Sequence, residues 1–253
     1  MLEIVTITGA DDHTEPSELV DIWRHFPYVE WGILIGSGTR IGASWRFPSA
    51  GWIDRLVEAR KQAGGTMRLS LHLCGDALRT VARGALGWLP EYVSLRAFSR
   101  VQLNWHGMMQ PEETAGNLLR AFDGKMWDPQ IICQLDGVVG NQWIADELVY
   151  ARGKDKVVGL HDRSHGAGVM PQDWALPSST LDVGWAGGLG PDNLKYELPR
   201  IQHVALPDRP WWIDMETKVR TTSCRALNLT AVIRCLELAQ PYVSEAAKKG
   251  GVA

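Results

Sequence analysis

Short apolar runs alternate with helical stretches along almost the whole chain. The runs are Leu2–Thr8, Trp31–Ile35, Arg68–Leu73, Val101–Trp105, Gln130–Leu135, Val157–His161, Leu181–Trp185 and Trp211–Met215. Each has the length of a strand, and each is followed by a polar or glycine-rich turn. Between them lie segments with apolar residues at helical spacing. Ser17–His25 carries Leu19, Val20, Ile22 and Trp23, and Ala50–Gln62 carries Trp52, Ile53, Leu56 and Val57. Glu112–Phe122 and Gln142–Arg152 follow the same period. Thr230–Val243 reads as a last amphipathic helix, and Ala246–Ala253 as a frayed tail. The runs recur every 24 to 37 residues, the length of one strand-plus-helix unit. Eight such units predict an α/β fold, a (β/α)8 TIM barrel, as a single domain over residues 1–253. The rival is a doubly wound sheet. Its GxGxxG turn after the first strand is absent, since Thr8-Gly9-Ala10-Asp11 does not match.

In a barrel the chemistry gathers at the C-terminal ends of the strands. Reading those ends in order gives Thr8, Asp11 and Asp12, then Ser37, Thr39, Arg40 and Arg46. The third and fourth ends give His72, Cys74, Asp76, Asn104 and His106. The fifth and sixth give Gln134, Asp136, His161, Asp162, Arg163 and His165. The eighth gives Asp214, Glu216, Thr217 and Arg220. The seventh is the most informative: Val183-Gly184-Trp185-Ala186-Gly187-Gly188-Leu189-Gly190-Pro191-Asp192-Asn193-Leu194. It reads as a strand end, a glycine turn and a helix start, with Pro191 suited to the first helical turn. Bare amides beside a helix N-terminus favour an anion. A tight turn with no ligand is the plain alternative.

Composition narrows the partners. The net charge of -3 and pI near 6.2 leave no basic footprint for nucleic acid. No apolar run is long enough to span a bilayer, and the N-terminal Met-Leu-Glu-Ile-Val carries no leader pattern. The expected setting is the cytoplasm, with Cys74, Cys133, Cys224 and Cys235 as free thiols. Assembly of identical copies is compatible with this composition. Twelve Trp is a high count, and Trp31, Trp105, Trp185, Trp211 and Trp212 sit beside strand ends, as core or as pocket wall. His72, His106, His161 and His165 with nearby carboxylates could furnish a divalent metal site, but none follows a short ligand spacing. No metal and no cofactor is expected.

Four stretches resemble phosphoribosylanthranilate isomerase. They are Ile7-Thr8-Gly9; Trp45-Arg46-Phe47-Pro48-Ser49; Leu160-His161-Asp162 with Gly166-Ala167-Gly168 and Asp173-Trp174; and Ala186–Leu194 followed by Ile213-Asp214-Met215. The resemblance implies an Amadori rearrangement of a small phosphorylated sugar or sugar-amine. Asp162 would be the acid and Arg46 the clamp for a substrate carboxylate. Phosphate would rest at strands 7 and 8, on Gly187, Gly188, Gly190 and Lys218. His161, Asp214 and Glu216 would line the substrate site. The family's base is a Cys where this chain has Thr8, and an unactivated hydroxyl cannot serve. Cys74, Asp136 and Asp11 are the substitutes at neighbouring strand ends. The family's phosphate loop is replaced by Glu216-Thr217-Lys218, where Lys218 and Arg220 would offset Glu216. The alternatives are a lyase or epimerase on the same barrel, with or without a metal, and a non-catalytic binder of a phosphorylated ligand.

Overall fold

The structure, a computed structural model, describes residues 1–250 except 37–45, 86, 90–92, 106–110, 123–126, 163, 165–166, 178–180, 222 and 224–225. Eight parallel strands close into a barrel in chain order: β1 (Leu2–Thr8), β2 (Val29–Ile35), β3 (Arg68–Cys74), β4 (Arg100–Asn104), β5 (Gln130–Leu135), β6 (Val157–His161), β7 (Val183–Ala186) and β8 (Trp211–Met215). The barrel expected from the sequence is therefore the fold. The helices are α1 (Pro16–His25), α2 (Ala50–Gln62), α3 (Gly75–Ala82), α4 (Pro111–Ala121), α5 (Val139–Arg152), α6 (Leu194–Val204), α7 (Leu229–Ala239) and α8 (Glu245–Lys248). Between β6 and β7 the described residues contain no helix.

Local chemistry fixes several boundaries. Helix α2 begins where Ser49 Oγ accepts the Trp52 amide, and Asp12 holds Ser49 in turn. Helix α5 starts three residues before the expected Gln142, because Asp136 Oδ1 accepts from Val138 N and Asn141 Nδ2. Helix α6 starts at Leu194 rather than at Pro191. The Asn193 side chain accepts from Gly190 N and donates to Gly188 O, which closes residues 188–193 into a turn of their own. Helix α7 ends at Ala239, and Pro241 lies in the 3-10 turn that follows. The expected frayed tail is ordered as far as α8, where Ser244 caps the helix and Ala247 is buried. Residues 251–253 lie outside the described residues.

Two apolar layers separate cleanly. The larger fills the space between strands and helices and includes Trp31, Trp52, Trp105, Trp185 and Trp211. The smaller, inside the barrel, is Ile132, Val158, Leu160 and Trp212. Ile4 and Ala186 pack against this smaller layer, and buried polar groups share the barrel interior with it. Glu30 and Arg100 form an ion pair at 3.1 Å, with side chains 0% and 5% exposed. Thr6 donates to Glu30, and the Arg100 guanidinium lies 4.5 Å above the Trp212 ring. The Trp212 indole needs Gly184 opposite it, where a Cβ would come within 2.3 Å of the ring. No helix among the described residues is long and apolar enough to cross a membrane.

Candidate functional site

The C-terminal strand ends surround a cleft of about 270 Å³. Thr8, Arg46, Cys74, Asp162, Gly187, Gly188, Asp214, Glu216 and Lys218 all line it, as do His72, Asp76, Asn104, Gln134 and Thr217. Ser37, Thr39, Arg40, His106, Arg163, His165 and Cys224 lie outside the described residues.

Among the lining residues is Asp214, the penultimate residue of β8. Strand β8 pairs with β1, and this register sets the Thr8 hydroxyl beside Asp214, donating to Oδ1 at 2.8 Å. Gln102 Nε2 approaches Oδ2 at 3.4 Å. Burial lifts the Asp214 carboxyl to about 7 against those two hydrogen bonds, and Glu216 and Asp162 add to the rise. Asp162, just past β6, is held differently. Its Oδ1 accepts from Ser164 N at 2.9 Å and Ser164 Oγ at 2.7 Å, and its Oδ2 accepts from Gln134 Nε2 at 3.2 Å. Two carboxyl groups thus share one cleft in contrasting surroundings.

The substitutes named for the missing cysteine fare unequally. Cys74 lines the cleft and accepts from Asn104 Nδ2 at 3.2 Å. Burial pushes its thiol up to about 12, which disfavours the thiolate a base would need. Asp136 does not line the cleft, because its carboxylate braces the start of α5. Asp11 is tied to Arg220 at 2.9 Å in a buried pair, with both side chains under 5% exposed. Arg220 also donates to Gly9 O, so both groups are engaged in joining the β1 and β8 loops.

Other candidate residues have contacts of their own. The Arg46 guanidinium binds Glu216 Oε1 at 3.0 Å, so a ligand carboxylate would share or displace that contact. Burial raises the Glu216 carboxyl, and Arg46 and Arg220 counter it. His161 lines a second cavity of about 310 Å³, with Met170, Trp174 and Trp185, its ring 6.1 Å from that of Trp185. Among the described residues no three His, Cys, Asp or Glu groups converge as a metal site would require.

The glycine turn is explained first by its own chain. Gly187 and Gly188 have φ of 121° and 64°, backbone that favours glycine. A Cβ on Gly188 would stand 2.8 Å from both Gly168 O and Met170 N. A Cβ on Gly190 would stand 2.4 Å from Lys218 Cβ, and Gly190 itself does not line the cleft. The turn is therefore the seat on which the loops after β6 and β8 pack. Gly188→Ala is expected to cost about 2 kcal/mol or more, from left-handed strain and backbone contact together. Thermal unfolding checks this, and an unchanged melting temperature would show that the loops can shift aside.

Sequence reasoning passed over Gln102 and Ser164. Gln102 had a visible signal: it is a polar residue inside the apolar run of β4. Ser164 had none, because it matters only through its two hydrogen bonds to Asp162.

Comparison with known proteins places the architecture. No family model and no curated protein matches the chain. Among solved structures, a monomeric form of the dimeric phosphoribosylanthranilate isomerase from Thermotoga maritima matches with a TM-score of 0.53 and 12% identity, over 95% of this chain and 100% of that one. This barrel is similar in fold to phosphoribosylanthranilate isomerase. The isomerase from Thermococcus kodakaraensis matches at 14% identity and a TM-score of 0.39, over 94% of this chain and 99% of that one. A GH18 chitinase from Pseudoalteromonas aurantia matches at 11% identity and a TM-score of 0.50, over 91% and 99%. Two such different enzymes at so low an identity share the barrel with this chain, so the likeness extends to the fold alone.

Proposed function

We propose that the protein is an enzyme that isomerises a phosphorylated sugar or sugar-amine by paired acid and base catalysis. The observation that carries this reading is the pair Asp162 and Asp214 in one cleft. Their contrasting environments support a division of roles. Asp214 is buried and holds its proton up to about pH 7, so it is the acid. Asp162 receives three donors on its two oxygens, the setting of an acceptor, so it is the base. This exchanges the role that the family resemblance implies for Asp162. Thr8, at the family's cysteine position, orients Asp214 and does no proton transfer.

In the rearrangement, Asp214 gives its proton to the ring oxygen of the sugar. The bond from that oxygen to the anomeric carbon breaks, and the attached nitrogen supplies the electron pair to form an iminium. Asp162 then removes the proton from the neighbouring carbon, and the resulting enolamine becomes the aminoketone. Proton count and charge balance with no outside oxidant or reductant.

Phosphate would rest on the Gly187–Gly188 turn beside Thr217 and Lys218, at the meeting of the loops after β6, β7 and β8. The other cations among the described lining residues, Arg46 and Arg79, are paired with Glu216 and Asp76. Lys218 has no ion pair among the described residues and is the point charge for an anion. Lys218→Ala is expected to weaken inhibition by inorganic phosphate about tenfold, the loss of one charge-assisted contact. A competition assay measures it, and unchanged inhibition would move the anion elsewhere.

Turnover of phosphoribosylanthranilate, followed by loss of anthranilate fluorescence, tests the whole reading. The wild type should turn over and Asp162→Asn should not. Folded wild-type protein without turnover would overturn this substrate assignment.

A further inference from the structure

Three buried polar side chains line the cleft and carry hydrogen-bonding atoms that meet no partner among the described residues. His72 is fully buried, and neither Nδ1 nor Nε2 has a partner among the described residues. Gln102 and Gln134 are buried as well, and each leaves its Oε1 without one. Leaving such atoms unpaired is costly, and native proteins rarely do it without a reason.

The amide orientations are determined by their surroundings. Gln102 Nε2 donates to Asn104 Oδ1 at 2.8 Å and approaches Asp214 Oδ2. Gln134 Nε2 donates to the carboxylate and the carbonyl of Asp162. Each Nε2 is directed at acceptors, so each Oε1 is the atom left facing elsewhere. The His72 ring is also held in place. It pairs in register with Gln102 across β3 and β4. A Cβ on Gly32 would lie 2.7 Å from its Cε1 and 2.3 Å from Thr8 Oγ1, so the bare glycine makes room for both at the base of the cleft. Burial and the Arg100 charge keep the imidazole neutral, down to about pH 3. A neutral ring offers one donor and one acceptor.

We propose that His72, Gln102 Oε1 and Gln134 Oε1 form a recognition subsite for the hydroxyl groups of a polyhydroxylated ligand. A hydroxyl group both donates and accepts. It can satisfy an amide oxygen and either nitrogen of the imidazole, whereas a carbonyl or apolar group would leave the amide oxygens unpaired. The subsite rests on the reading of the ligand as a sugar, and is independent of where its phosphate lies.

The test uses protein labelled with 15N at histidine, titrated with D-ribose 5-phosphate and with 2-deoxy-D-ribose 5-phosphate. The hydroxylated sugar should bind at least tenfold more tightly and should shift the His72 ring nitrogens. His72→Leu, which removes two unpaired polar atoms, should melt no lower than wild type and lose the preference. Equal affinity for the two sugars, binding that leaves the His72 resonances unmoved, or a preference kept by His72→Leu would each overturn the proposal. If neither sugar phosphate binds, ribitol at molar concentration decides. A His72 shift then upholds the hydroxyl subsite and overturns only the phosphate reading, while no shift overturns the subsite. If the leucine variant does not fold, the wild-type spectra alone carry the decision.

Discussion

Asp214→Asn is expected to lower turnover by roughly 10²- to 10⁴-fold, the usual worth of a positioned acid. The pH profile carries the sharper information. With Asp214 as the acid, kcat/KM for the wild type should fall about tenfold per pH unit above about pH 7, where its proton is lost. A rate that instead rises through pH 7 would make Asp214 the base and return the acid role to Asp162. The same variant has a stability signature. The Asp214 carboxyl moves from an ordinary 3.8 to about 7 on folding, so the folded state binds the proton more tightly. Its contribution to stability is complete below about pH 4 and is lost as the pH rises through about 7. Above that pH the buried charge costs on the order of 4 kcal/mol relative to low pH. Asp214→Asn should therefore unfold at higher temperature than wild type at pH 8, with the difference shrinking towards pH 4. Parallel melting curves across that range measure it, and a constant difference would mean that the carboxyl is not the titrating group.

Glu30→Ala is expected to have the largest effect on stability. It removes the partner of Arg100 and leaves a guanidinium buried inside the barrel. Breaking such a pair costs about 3–5 kcal/mol, because the remaining charge has no compensation. In a domain of this size the melting temperature should drop by roughly 10 °C. Part of the charge is spread over the Trp212 ring, which lies 4.5 Å away, and that contact sets the lower end of the range. Replacing both partners by apolar residues of similar volume should recover most of the loss, since it removes the desolvation cost along with the attraction. Chemical denaturation of the single and double variants distinguishes these outcomes. A single variant as stable as wild type would mean that water reaches Arg100.

The barrel was legible because its signal is local and repeated. Eight apolar runs at the spacing of a strand-plus-helix unit leave few other folds, and all eight recur as strands with ends shifted by at most two residues. The helix starts were harder. They depend on side chains that reach back across a turn, such as Asp136 at α5 and Asn193 before α6. The polar interior was also present in the sequence, as Ser70 and His72 in β3 and Gln102 and Asn104 in β4. These alternate with apolar residues at the strand period and mark the inward face. Reading the strands only as apolar runs concealed it.

The sequence by itself determined the eightfold alternation, the rim on which polar residues gather and the candidates Asp162 and Asp214. Tertiary structure alone decided which polar residues were already committed. Asp11 to Arg220, Arg46 to Glu216 and Asp136 to the start of α5 are pairings between residues 5 to 209 positions apart. The physical reason is that a side chain's chemistry depends on burial and on its nearest partners. Barrel closure, which seats β8 against β1, sets both for Asp214 and Thr8.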